Sequence, residues 1–209
     1  GNQMNEMIWD FWASRYHRLW VQRYSLRPTR HAVLDIIKEL EPIQGARVLD
    51  LGCGVGELME ELKRSFNGIR ITGIDKSGEM LRLSRIKNPW AEHIQLAAEE
   101  LNSLHGFFDI IICSHSLPYY TEKHKVLMEL HRILAPGGSL VMAFASTNSL
   151  YDKLALSLVK LTTGRAEYPS HDSFLELIQP YFKVERHVII RERLYMPTIS
   201  VYQLGRKEL

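Results

Sequence analysis

The chain has 209 residues, with 26 lysines and arginines against 24 acidic residues and 45% hydrophobic residues. That length fits one domain with an ample core, and the balanced charge excludes a disordered polyelectrolyte. Composition gives no reason to expect nucleic acid or membrane lipid as a partner, and two cysteines, Cys53 and Cys113, cannot form a disulfide framework.

No stretch approaches the roughly 18 uninterrupted apolar residues that span a bilayer, so no membrane insertion is expected. The N-terminal residues lack the cationic, apolar and small-residue succession of a signal peptide. A reducing, cytoplasmic setting is the expectation.

Residues 1–44 are predicted to form a helical cap. Met7, Ile8, Phe11, Trp12, Tyr16, Leu19 and Trp20, then Val33, Leu34, Ile37 and Leu40, recur at helical spacing. Two or three helices are predicted, broken near Pro28, with Thr29 available as a cap. Arg23, Arg27 and Arg30 also share a helical face, which is either solvated or able to bind an anionic substrate.

Residues 45–145 alternate short apolar runs with helical stretches. Strands are predicted at Val48 to Leu51, Arg70 to Ile74, Ile94 to Leu96, Phe108 to Cys113 and Ser139 to Phe144. Helices are predicted between them, near Glu57 to Phe66, Ser77 to Lys87 and Glu122 to Leu134, with Pro136-Gly137-Gly138 as a turn. This alternation implies a parallel sheet covered on both faces. In residues 146–209 helices are predicted at about 148–161 and 171–179, then strands near 183–191 and 198–205. The two last strands are joined too closely for a crossover helix, so they should pair antiparallel. The whole chain therefore reads as one domain.

The most informative stretch is Val48-Leu49-Asp50-Leu51-Gly52-Cys53-Gly54-Val55-Gly56, an Asp-x-Gly-x-Gly-x-Gly run between a strand and a helix. Its glycines permit a tight turn and let a ligand approach the backbone, at the strand end where open parallel sheets bind ligands. Asp75 ends the next strand, where a carboxylate can accept from both hydroxyls of a ribose. A dinucleotide fingerprint would place glycine where Glu57 stands, and no Gly-Lys-Ser/Thr closes a phosphate loop. An adenosine cofactor without phosphates fits better.

At these residues the chain resembles the class I S-adenosylmethionine-dependent methyltransferases, on the small-molecule side of that family. Val48 to Gly56, Asp75, the run Phe108-Asp109-Ile110-Ile111-Ile112-Cys113 and the run Leu134-Ala135-Pro136-Gly137-Gly138-Ser139-Leu140 carry the likeness, strongly over residues 45–145. The resemblance implies an α/β fold with a Rossmann-like seven-stranded mixed sheet, order 3-2-1-4-5-7-6 with strand 7 antiparallel, under an N-terminal helical cap. It implies S-adenosylmethionine as cofactor, held by Asp50, Gly52, Gly54, Gly56 and Asp75. Lys76 and Met80 would line the adenine, Ala98 or Glu99 would meet its edge, and Ser114 would lie beside the cofactor. Ala97 departs from the acidic residue common in close relatives, which leaves the adenine ring to a backbone amide, with Glu99 or Glu100 as the alternative acceptor.

By the same resemblance, the run Ser114-His115-Ser116-Leu117-Pro118-Tyr119-Tyr120 would face the transferable methyl, and it lacks the Asn/Asp-Pro-Pro-Tyr/Phe pattern that family members use for amide and base methylation. His115 is a candidate base, with Tyr119 and Tyr16 as further candidates at the reaction centre. The same residues also admit bland roles, as helix caps or packing. His171 reads as a cap or surface residue.

No His/Cys/Asp/Glu cluster has metal-ligand spacing, so no metal is expected. The expected activity is methyl transfer to a small-molecule acceptor through O, N or C, releasing S-adenosylhomocysteine. The alternatives are methylation of RNA or protein, a non-enzymatic cofactor-binding or regulatory protein, and an NAD-dependent oxidoreductase. The sequence leaves acceptor and oligomeric state open.

Overall fold

A computed structural model describes residues 3–4, 26–146, 166–191 and 198–209. The aromatic N-terminal segment with Tyr16, Arg23 and the helix expected near 148–161 lie outside the described residues. In chain order the elements are α1 (Arg27–Leu40), β1 (Arg47–Leu51), α2 (Glu57–Ser65), β2 (Arg70–Asp75), α3 (Gly78–Lys87) and β3 (Glu92–Gln95). There follow β4 (Phe108–Ser114), α4 (Lys123–Ile133), β5 (Leu134–Ser146), α5 (His171–Ile178), β6 (Phe182–Ile190) and β7 (Thr198–Arg206). Short 3-10 turns at Ala98–Ser103 and Leu117–Tyr119 complete the described elements.

The seven strands form one sheet in the order β3-β2-β1-β4-β5-β7-β6. The first five pair in parallel, while β7 runs antiparallel to both β5 and β6. The expected topology is therefore the observed one. Its cause is legible in the connections: helices separate the parallel strands, whereas only seven residues separate Ile190 from Thr198.

Alternation along the strands divides the core in two. Leu49 in β1, Ile111 and Cys113 in β4, Leu140, Met142 and Phe144 in β5, and Tyr202 and Leu204 in β7 face α4 and α5. Val48, Ile110, Ile112, Val141, Ala143, Ile199 and Val201 face α1, α2 and α3. Each position is fixed by the two-residue period of an extended chain, since a one-residue slip would exchange the faces. Under α5 the rings of Phe144, Phe174 and Tyr202 lie 4.3 to 5.7 Å apart, contacts worth about 0.5–1.5 kcal/mol each beyond their buried area.

Two local expectations change. Thr29 does not cap a helix: α1 begins at Arg27, near Pro28 as expected, Pro28 lies in its first turn, where the missing amide costs nothing, and Thr29 is buried inside it. Pro136-Gly137-Gly138 is a bulge within β5 instead of a turn before it. Phe108 pairs with Leu134 and Ile110 with Ser139, so six residues of β5 span three of β4.

Candidate active site

The site lies beyond the C-terminal ends of β1, β2 and β4. After Leu51 the chain turns through Gly52, Gly54 and Gly56 with φ of 80°, 56° and 85°, a left-handed conformation that disfavours other residues. The amides of Gly52 and Cys53 both donate to the carbonyl of Ile74, at 2.7 and 2.9 Å, which binds the turn to β2. Asp75 completes the clasp: Oδ2 accepts from the Gly54 amide and Oδ1 from the Ser77 amide, each at 2.9 Å. A carboxylate offers about four acceptor positions, so each oxygen keeps one for a ligand donor.

The cavity above this turn has a volume of about 360 Å³. Among the expected residues, Gly52, Asp75, Lys76, Ala98, Glu99, Ser114, His115 and Tyr119 line it. Gly54 shapes the turn without lining the cavity, and Met80 is 43% exposed on α3, away from it. Tyr16 lies outside the described residues. Leu51, Leu96, Ala97, Ser116 and Tyr120 also line the cavity. Leu51 and Leu96 had no signal beyond hydrophobicity, which a core residue shares.

Gly56 also serves the packing of the helices. A Cβ there would sit closer to Ser84 Oγ and Asn88 Nδ2 than real Cβ atoms approach other atoms, and Asn88 Nδ2 donates to the Gly56 carbonyl at 2.9 Å. Its small size lets α2 begin against α3. Glu57, next to it, forms a 2.9 Å ion pair with Arg30, which also reaches Glu61 at 3.3 Å. Arg30 thus ties α1 to α2, and of its two expected roles neither a solvated face nor anion binding describes it.

Asp50 lies beneath the turn and is 2% exposed. Burial, and then the charge of Asp75, push its carboxyl up to about 7 from an ordinary 3.8. A carboxyl raised by folding holds its proton more tightly in the native state, so its contribution to stability is present below pH 4 and lost as pH rises through 7. In urea denaturation, Asp50→Asn is expected to gain roughly 2–4 kcal/mol on the native protein between pH 4 and pH 8. An unchanged difference across that range would show that Asp50 titrates normally.

Glu99 accepts from the Thr121 amide and hydroxyl through Oε1, at 3.0 and 3.2 Å, and so holds the chain that follows Tyr120. Glu100 is engaged too, accepting from the Ala97 amide at 3.2 Å. Across the cavity His115 has φ of 55°, rare for a residue with a side chain, and its amide donates to Ala143 at 2.6 Å. Its Nε2 lies 2.8 Å from Thr29 Oγ1 on α1. Burial pushes its imidazole down to about 4, which leaves it neutral at pH 7.

Behind it, the Tyr120 hydroxyl sits between Ser116 Oγ at 2.8 Å and Cys113 Sγ at 3.0 Å. Burial raises the Cys113 thiol to about 11, so it stays protonated and is no nucleophile at neutral pH. Tyr119 meets Tyr168 edge to face, with hydroxyls 3.2 Å apart. The Glu167 amide donates to the Pro118 carbonyl at 2.8 Å, holding residues 166–170 against this loop. His171 does not cap α5; Ser170 does, while His171 Nδ1 lies 2.8 Å from the Tyr202 hydroxyl.

Among the described residues no group of three or more His, Cys, Asp or Glu side chains could hold a metal ion, and no helix is long and apolar enough to cross a membrane.

Residues 49–142 match the family model of a methyltransferase domain. The chain is 28% identical over 173 residues to the ubiquinone biosynthesis O-methyltransferase of Ralstonia nicotianae, covering 78% of this chain and 71% of that protein. Its fold matches the N-methyltransferase NodS from Bradyrhizobium japonicum, solved with S-adenosylhomocysteine, with a TM-score of 0.70 and 15% identity over 87% of each chain. It also matches the magnesium protoporphyrin IX methyltransferase of Synechocystis, solved with S-adenosylhomocysteine, with a TM-score of 0.70 and 20% identity over 86% of this chain and 83% of that one.

Proposed function

We propose that the chain is a class I S-adenosylmethionine-dependent methyltransferase and that its small-molecule acceptor presents an aromatic hydroxyl. The residues at the strand ends fit the cofactor. Asp75 has one acceptor position left on each oxygen for a ribose diol, and Gly52 and Gly54 present no side chain to a ligand lying over the turn. Leu51, Leu96 and Ala98 offer apolar contact for a purine. When bound, S-adenosylmethionine supplies a methyl on a positively charged sulfur that departs as a neutral thioether.

The remaining chemistry falls to the protein: alignment of the acceptor oxygen, exclusion of water and acceptance of one proton. The observation that carries the reading is His115, a neutral imidazole at the cavity beside Ser114 and Ser116, with Tyr119 and Tyr120 as aromatic lining and Tyr168 edge to face against Tyr119. A relative named for O-methylation in ubiquinone biosynthesis supports the same class.

The test is transfer of labelled methyl to phenols, alkylamines, carboxylates and tRNA, with calorimetry on S-adenosylmethionine and NAD. Phenols are expected to be turned over, and only S-adenosylmethionine to bind. His115→Ala is expected to lower kcat about a hundredfold, within the usual span for a lost acid-base group. Turnover confined to amines or tRNA would overturn the acceptor class.

A further inference from the structure

On α1, outside every motif, Thr29 is fully buried and brings its hydroxyl within 2.8 Å of His115 Nε2. The two residues are 86 positions apart, and this is the one polar side-chain link between α1 and the loop after β4 among the described residues. Burying a hydroxyl against an apolar sheet costs free energy unless it is bonded, so its presence calls for a partner.

We propose that Thr29 is a positioning residue for methyl transfer: it accepts from Nε2–H of His115 and thereby leaves the Nδ1 lone pair facing the acceptor. The inference rests on the hydroxyl-acceptor reading of the site. A neutral imidazole carries one N–H, and the bond made by one nitrogen decides the state of the other. A threonine inside a helix commonly donates its own proton to a carbonyl of the preceding turn, which turns the oxygen toward the ring as an acceptor. The ring cannot easily choose another pose. Its backbone is held in the left-handed region and fastened to Ala143, while Nδ1 has no hydrogen-bond partner among the described residues.

In the transfer, a lone pair of the acceptor oxygen forms the bond to the methyl carbon as the carbon–sulfur bond breaks, its electron pair staying on sulfur. His115 Nδ1 takes the hydroxyl proton, and the imidazolium formed keeps Nε2–H on Thr29. Water then receives the Nδ1 proton and restores the neutral ring. Thr29 touches neither reactant.

The experiment compares Thr29→Val, which keeps the shape, with Thr29→Ser, which keeps the hydroxyl. ¹⁵N NMR of the imidazole in the ligand-free protein reads the tautomer directly, without turnover. The intact protein should show Nε2–H alone, Thr29→Val a mixture, and Thr29→Ser the original state. With a phenol as acceptor, Thr29→Val should lower kcat about tenfold to a hundredfold, with the acceptor KM and S-adenosylhomocysteine affinity nearly unchanged, and Thr29→Ser should recover most of it. An Nδ1–H tautomer in the intact protein overturns the proposal, as does a tautomer that ignores Thr29→Val or an altered tautomer with unchanged kcat. If no phenol is turned over, the acceptor reading fails and the NMR result alone decides whether Thr29 sets the ring.

Discussion

Asp75→Ala is expected to weaken binding of S-adenosylmethionine by a hundredfold or more, to the point where calorimetry registers no saturation. Two losses combine. The variant removes the acceptor proposed for the ribose diol, and hydrogen bonds to a charged group contribute roughly 1.5–3 kcal/mol each. It also frees the amides of Gly54 and Ser77, whose 2.9 Å bonds to the carboxylate hold the glycine turn and the start of α3 in place. Asp75→Asn separates these effects, because its carbonyl oxygen can still accept from one amide. It should retain the fold and bind with an intermediate loss. Saturable binding by Asp75→Ala at native affinity would remove this residue from the cofactor site.

Gly56→Val is expected to be the most damaging single change to the fold, by 4–5 kcal/mol or more, and to yield little soluble protein. A branched side chain disfavours φ of 85°, and its Cβ would collide with Ser84 and Asn88 on α3. Neither neighbour is free to yield, since Ser84 Oγ lies 2.8 Å from His93 Nε2 and Asn88 holds the Gly56 carbonyl. Thermal unfolding of whatever soluble fraction remains is the measurement. A melting temperature near that of the native protein would show that the α2–α3 contact is looser than this geometry requires. Gly54→Ala makes a useful contrast: a Cβ there meets nothing within 4 Å, so only the strain at φ of 56° should register.

The topology was legible because its determinants are local and periodic: apolar runs separated by helices, one closely joined pair at the end, and glycines at a strand end. Asp75 could be placed for the same reason, since the end of a strand is where such a sheet opens, while Lys76 and the Ser114–His115 pair were placed by the family resemblance. What was hidden was long-range. Nothing near Thr29 in sequence signals His115, and Arg30 read as one of three surface arginines until α2 brought Glu57 and Glu61 to it. The place of Gly56 in the glycine run did not signal its second demand, the close approach of Ser84 and Asn88 across the helix contact. Of the two glutamates weighed for the adenine edge, Glu99 lines the cavity and Glu100 does not, and each has an oxygen engaged, on Thr121 and on Ala97.

The last strand carries a consequence for how the molecule assembles. β7 follows β6 in the chain, yet it lies between β6 and β5, and among the described residues β6 pairs with no other strand. As the polypeptide emerges from the ribosome, β6 therefore waits without a neighbour, its nine residues displaying unsatisfied amides and carbonyls on both sides. Only when residues 198–206 arrive can that segment join the rest. Until then the nascent chain is open to capture by chaperones, or by other chains of its own kind.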